Sequence, residues 1–402
     1  MLAESIPGAQ RAGRVARTVG GMHADAVSGQ VMRPAATEAF LRALPHSWAD
    51  PGRLYHAGRQ ARSLLEAARA VIADAVDRPS STVSFLPSPV AALGVALAGC
   101  LGGRPPRQWG PRTVIASAVE QALILEMLDE WQHAEPNRSL RLLPVNDRGA
   151  VELPVLRSAL AESTDPPLVV LQQANHEVGT CQPLSGAAAD VAERGGTLVV
   201  DATMTRGLLR PQGDVLILGA AGWGGGPAGV VIVDPRVRWR APLTPDGHEH
   251  GRFPGPPFIP LAVAAAAALA DCQAHCAQEV RHLRDLATAL RRQLAEIPDS
   301  VLLGDAADSV PGLVAASFLY VEAGALLNAL DRAGEAVVSG SSCVVDAVGP
   351  SHVLAAMGAL SQGNVRITLP ASATAAEVTT LGAGIAAAVR TVRHDLGAPH
   401  GS

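Results

Sequence analysis

The chain has 402 residues, 48% hydrophobic and 17% charged, with a formal net charge of −5. That balance excludes an intrinsically disordered chain and gives no electrostatic reason to expect nucleic acid or an anionic membrane as a partner. Aromatic residues make up only 3%, so the core is expected to be built from Leu, Val, Ala and Ile. The five cysteines are scattered and odd in number, which suits a reducing cytoplasm.

Residues 1–24 carry Arg11, Arg14 and Arg17 with no apolar stretch after them. They read as a flexible, mildly basic tail and not as a secretion signal. Residues 34–76 place apolar side chains at three- and four-residue spacing, which predicts helices, and Thr82 to Phe85 is a short strand candidate. Leu86-Pro87-Ser88-Pro89-Val90 then opens a helix through a proline-rigid entry. From there to Val233 strands alternate with helical stretches, a pattern that predicts a mainly parallel sheet covered by helices. The last of these strands flank a Gly-rich turn in VLILGAAGWGGGPAGVVIV, Val215 to Val233.

His248 and His250 flank Glu249, but a tetrahedral site needs further ligands and no metal is expected. Leu261 to Leu294 is mostly helical, and its apolar run from Leu261 to Ala270 is too short to span a bilayer. Cys272, His275 and Cys276 share one face of that helix and read as a packing feature. Residues 300–395 read as a second, smaller α/β unit.

Several of these stretches resemble the cysteine desulfurase family of class-V aminotransferases. The resemblance rests on ANHEVGTCQP (Ala174 to Pro183), the VVDA strand end at Asp201, and SGSSC (ending at Cys343) with PSHVLAAMG, and it covers about residues 25–395. It implies a pyridoxal-phosphate (PLP) fold of type I: a tail at 1–24, a large domain at 25–256 and a small C-terminal domain at 257–402. It also implies roles. Asn175 stands beside the cofactor's 3′-oxygen and Asp201 pairs with its pyridine nitrogen. Cys343 matches the sulfur-accepting nucleophile, and Arg366 the arginine that binds the substrate carboxylate. Glu177, Gly179, Gln182 and Pro183 match as well.

The departures gather at cofactor-contact positions. Val90 stands for the phosphate-loop threonine, Gln121 for the ring-stacking histidine and Met204 for a glutamine. Ala220 stands for the serine of the lysine turn, Gly222 for its histidine, Trp223 for the lysine itself and Pro256 for a threonine that reaches across the dimer. No slip of alignment supplies the missing amine, because all 32 basic residues are arginine, and a guanidinium stays protonated and forms no imine.

The expectation is therefore a desulfurase-like pseudoenzyme that binds no cofactor, or PLP only noncovalently, with Trp223, Met204 and Val90 filling the cofactor's volume. It would act as a homodimer, or a heterodimer with an active paralogue, serving a sulfur-acceptor protein in the cytoplasm. Two alternatives stand beside it: a persulfide relay through Cys343 without PLP, and a desulfurase that uses PLP held noncovalently.

Overall fold

The computed structural model describes residues 21–26, 30–102, 110–340 and 351–397. Cys343 lies outside them.

Two helices, α1 (Pro34–Ala43) and α2 (His56–Val76), precede β1 (Val83–Leu86) and α3 (Pro89–Cys100). Then come β2 (Thr113–Ser117), α4 (Ala122–His133), β3 (Ser139–Leu143), α5 (Leu153–Glu162), β4 (Leu168–Gln172), α6 (Leu184–Glu193), β5 (Thr197–Asp201), β6 (Val215–Gly219) and β7 (Gly229–Val233). These strands form one seven-stranded sheet in the order β1-β7-β6-β5-β4-β2-β3. Its interior pairs are parallel, while β7 runs against both of its neighbours. Strands β4, β6 and β7 are buried along their whole length, as expected when helices cover both faces of a sheet. The fold is the helix-covered, mostly parallel sheet of PLP fold type I.

Each predicted boundary has a local cause. Ser88 caps α3 by accepting from the Ala91 N–H at 3.1 Å, and Pro89 sits in the first turn, where its missing N–H is not needed. The Gly-rich turn closes because Gly224 adopts φ +74°, where any side chain would be strained and would also meet Arg33. A Cβ on Gly229 would lie 2.1 Å from the Ser88 carbonyl oxygen, so β7 reaches the start of α3 only as glycine.

Helix α7 (Ile259–Ala295) spans 37 residues and packs against α1, α2 and α10 (Ala375–Asp395). By length and composition α7 is apolar enough to cross a membrane, but half of its apolar window is buried within the molecule. It serves as a core helix that packs on β8 and β9 of the second sheet and on the turn that follows β6. The second sheet is antiparallel, in the order β10-β9-β8, formed by β8 (Ser300–Leu303), β9 (Leu313–Phe318) and β10 (Val365–Thr368). Helix α8 (Ala323–Arg332) and the short α9 (His352–Ala356) complete this unit.

The reading of residues 1–24 as a tail is corrected at its end. Residues 21–26 are packed along the small sheet, with His23 bridged to Ala336 and Asp25 to Thr368. The Ala24 N–H donates to the Ala336 carbonyl at 2.8 Å, the Met22 N–H reaches the Glu335 carboxylate, and Ala24 is fully buried. The segment is too short to show strand periodicity, and its partners are over 300 residues away in sequence.

Candidate functional site

In an open α/β sheet the ligand crevice lies beyond the carboxyl ends of the strands. Here Asp201 is the last residue of β5, and Asn175 follows three residues after β4. Asp201 is buried. Its Oδ1 accepts from the Thr203 N–H (3.0 Å) and hydroxyl (2.7 Å), and its Oδ2 accepts from the Gln121 amide. Burial pushes the carboxyl up from its ordinary value, and the bonds from Thr203 and Gln121 oppose that shift. Beside it Glu120 is fully buried. Its Oε1 accepts from the Gln172 N–H at 3.0 Å while Oε2 has no partner. Burial drives this carboxyl well above the usual range, and the Asp201 charge adds to the shift.

Asn175 is engaged internally. Its Oδ1 accepts from the N–H groups of Glu177 and Val178, both at 2.9 Å, and its amide donates to the Val119 carbonyl. It closes the β4 turn.

Trp223 does not fill the space beside Asp201, which corrects the volume argument made from sequence. Its indole is 2% exposed and belongs to the core under α7, where Nε1 donates to the Ala265 carbonyl at 3.0 Å. Arg33 fixes the turn from the other side. Its Nε donates to the Trp223 carbonyl, and its fork pairs with Glu279 and Asp271 of α7. Met204 lies in a different apolar cluster, with Val119, Ala174 and Val178. Val90 is 64% exposed. The three residues thus point to three surroundings, a matter of side-chain direction that sequence position does not report.

Arg366 sits on β10, and its guanidinium is 5% exposed. One terminal nitrogen donates to the His176 carbonyl at 2.8 Å and the other to Asp25 Oδ1 at 3.0 Å. The structure thus joins Arg366 to Asn175 through the neighbouring residue and adds two groups that sequence reasoning missed. The first is Asp25, the residue that follows the stretch read as tail. The second is His176, buried and ring-stacked on His352 with centroids 6.2 Å apart. Burial, followed by the charges of Arg366 and His352, pushes His176 down to about 3, so the imidazole is neutral. The signal for His176 was available in ANHEVG, where the resemblance has asparagine. Glu177 accepts from the Ser351 hydroxyl at 2.6 Å, which fastens the start of the PSHVLAAMG stretch to the same turn.

Glu249 is committed elsewhere. It forms a buried ion pair with Arg69 and accepts from the Phe85 N–H, holding the edge strand β1. Cys272 and Cys276 point their thiols at the Arg206 and Leu208 carbonyls inside the molecule. Burial raises the thiols of Cys100, Cys181 and Cys272 to about 12, and that of Cys276 in the same direction, so these four are poor nucleophiles at neutral pH.

The class-V aminotransferase family pattern matches residues 32–212 and 245–381. A cysteine desulfurase of Cereibacter sphaeroides is 32% identical over 368 residues, 87% of this chain and 91% of that protein. The chain belongs to the cysteine desulfurase family. An IscS-like cysteine desulfurase of Mycobacterium tuberculosis is 31% identical over 365 residues, 86% of this chain and 91% of that one. Among solved structures, a NifS-like protein from Rickettsia africae superposes with a TM-score of 0.81 at 19% identity, covering 92% of this chain and 99% of its own. That likeness concerns the fold. The two matched segments leave residues 213–244 between them, and Trp223 lies in that gap.

Family membership corrects the expectation that no cofactor is bound. Cysteine desulfurases are PLP-dependent, so the comparisons point to PLP as the cofactor of this family's site. Asp201, buried at the end of β5, suits the pyridine-nitrogen end of such a group. The attachment end differs from the family's motif. The chain has no lysine, and Trp223, which the resemblance sets at the lysine's position, lies in the core under α7. At the phosphate end, the Ser88 hydroxyl is taken by the Ala91 N–H and prolines flank it on both sides.

Proposed function

We propose that this chain is a desulfurase-fold subunit that acts in sulfur transfer as a partner or scaffold and does not complete cysteine desulfuration alone. One observation carries the reading. The position that the resemblance gives to the attachment lysine holds Trp223, which is locked into the core by its bond to Ala265, by Arg33 on its carbonyl and by the glycine turn that follows. In this family the lysine also moves the proton, and general acid–base transfer is worth about two to four orders of magnitude. Neither Asn175 nor Arg366 replaces it: Asn175 spends its amide and carbonyl on internal bonds, and the Arg366 guanidinium stays protonated and takes up no proton.

A second subunit is part of the proposal. Trp48, Leu54 and Tyr55 in the loop before α2, with Phe258 before α7, expose 74, 80, 53 and 59% of their surface. Apolar groups of this size in two neighbouring connections support an association face, in a homodimer or with an active paralogue. The division into a large unit at 25–256 and a small one at 257–402 belongs to the same proposal. In it α7 is the shared wall.

The test is a sulfide assay on the purified chain with cysteine, with and without added PLP, alone and mixed with an active desulfurase of the family. The expected result is no sulfide from the chain alone in either condition, with association and altered turnover in the mixture. Sulfide released by the chain alone, and lost on Cys343→Ala substitution, would overturn the proposal whatever the state of the cofactor.

A further inference from the structure

Two surface connections meet at one imidazole. His248 lies in the loop that leads into α7, and its side chain is 20% exposed. Its Nε2 is hydrogen-bonded at 3.1 Å to Asp50 Oδ1, in the turn before α2. Its Nδ1 is 3.1 Å from Asp246 Oδ1, an ion-pair contact without hydrogen-bond alignment. The two carboxylates are themselves fixed. Asp50 Oδ1 accepts from the Gly52 N–H at 2.7 Å, and its Oδ2 pairs with Arg53 at 3.1 Å. Asp246 accepts from the N–H groups of His248 (3.0 Å) and Gly255 (2.7 Å), which closes its loop. Among the described residues, the charged groups that face the ring are thus Asp50 and Asp246, with Arg53 on the far oxygen of Asp50.

The loop is held in a conformation that needs support. Glu249 and His250 are consecutive non-glycine residues at φ +46° and +55°, which such residues keep only where their surroundings fix them. Glu249 secures the inner side through Arg69 and the Phe85 N–H. The outer side meets the turn before α2 at His248. These two connections carry Trp48, Leu54, Tyr55 and Phe258, all more than half exposed. The loop also walls, with Phe253 and Pro256, an apolar cavity of about 260 Å³ over Phe85.

We propose that His248 is a pH-sensitive clasp that fastens the turn at 47–55 to the loop at 246–255, closed while the imidazole is protonated and released when it is neutral. An imidazolium sets a positive charge between the two carboxylates and has an N–H on each ring nitrogen, whereas the neutral ring has one N–H and no charge. Loss of the proton leaves Asp50 and Asp246 as two negative groups converging on a neutral ring, with an N–H donor for only one of them. The bond to Asp50, then the contacts with Asp246, raise His248 above its ordinary value against partial burial. Hydrogen bonds, those from His248 first, hold both carboxyls below theirs. With a folded value above 6.5, the stabilisation by the clasp is full below 6.5 and is lost as pH rises through the folded value, while the carboxylates stay ionised. Release frees Trp48, Leu54 and Tyr55 from a fixed placement against Phe258, so pH sets the shape of this exposed apolar face. The clasp works in the isolated chain, whatever its place in sulfur transfer.

The experiment uses the full chain, His248→Gln and Asp50→Asn. Trypsin cuts this chain only after arginine, because there is no lysine, and Arg53 is an exposed arginine in the clasped turn. Cleavage after Arg53 is followed by mass spectrometry from about pH 5.5 to 8.5. Each rate is divided by that of His248→Gln at the same pH, which cancels the protease's own pH dependence. The wild-type ratio is expected to rise about two- to fivefold, from below one towards one, the range that one or two partly exposed ion pairs command. The Asp50→Asn ratio is expected to stay flat, because the tie between the loops is gone. In parallel, proton NMR is expected to show His248 titrating above 6.5 in the wild type and at lower pH in Asp50→Asn.

If His248→Gln fails to fold, the titration alone decides, since one of the twelve histidine resonances must then move to lower pH on Asp50→Asn substitution. A wild-type ratio that is flat with pH, a rise of equal size in Asp50→Asn, or no histidine resonance displaced by that substitution would each overturn the clasp.

Discussion

Replacing Trp223 with lysine restores the family's residue type at its matched position, and the structure says that the fold does not accept it. An indole buries about 150–250 Å², which at roughly 25 cal/mol per Å² corresponds to about 4–6 kcal/mol as an upper estimate. The four methylenes of lysine, at about 0.8 kcal/mol each, return about 3 kcal/mol of this. The ammonium must then be desolvated under α7 or lose its proton. Full burial shifts lysine by up to about 3–5 pH units, at about 1.4 kcal/mol per unit. A bond to the Ala265 carbonyl offsets about 1–3 kcal/mol of that.

Trp223→Lys is therefore expected to destabilise the chain by at least about 2 kcal/mol, within the range of large core deletions. Trp223→Phe, which loses the Ala265 bond and part of the ring, is expected to lose about 1–2 kcal/mol. The assay is urea unfolding followed by far-ultraviolet circular dichroism, comparing midpoints at unchanged slope. A Trp223→Lys chain within about 1 kcal/mol of wild type would refute the packing argument. So would one that forms an imine absorbance band with added PLP, because its amine would then lie in the cleft and not under the helix.

Three further outcomes follow from the same structure. Glu249→Gln takes from buried Arg69 its buried counter-ion and leaves it only the half-exposed Glu66, so it is expected to lose up to about 3 kcal/mol by calorimetry. Glu120→Gln is expected to be more stable than wild type at neutral pH, with the gap closing as pH falls. The folded Glu120 carboxyl holds its proton above its unfolded value of 4.5, so its contribution is full below that value and is lost as pH rises through the folded one. His176, lowered from 6.5 to about 3, is expected to show no titration by NMR between pH 5 and 8. Its neutral form weakens the fold as pH drops from 6.5 towards 3, and His176→Asn is expected to flatten that part of the profile.

Much of the architecture was legible because its signals are local. The proline pair around Ser88 marks the start of α3, the three- and four-residue spacing marks α2, and the continuous apolar runs of β4, β6 and β7 mark buried strands. The candidate site was legible as positions and illegible as directions. Asp201 and Asn175 lie where the motifs place them, but nothing in a row of letters shows that Asn175 spends its amide on a turn or that Trp223 turns towards Ala265. Asp25 was invisible for a different reason. Its meaning comes from a residue 341 positions away, and four or five residues of strand carry too little periodicity to announce themselves. The cofactor expectation erred because losses at contact positions were weighed more heavily than family membership.

The route of the N-terminal segment has a consequence for how the molecule is made. Residues 22–25 leave the ribosome long before the strand they lie along and the arginine that Asp25 pairs with. At about 5–20 residues per second, some 341 residues of delay correspond to about 20–70 s during which Asp25 has no place to dock. The pairing of Asp25 with Arg366 thus waits until the chain has been made through β10, so the N-terminal segment is docked late in synthesis.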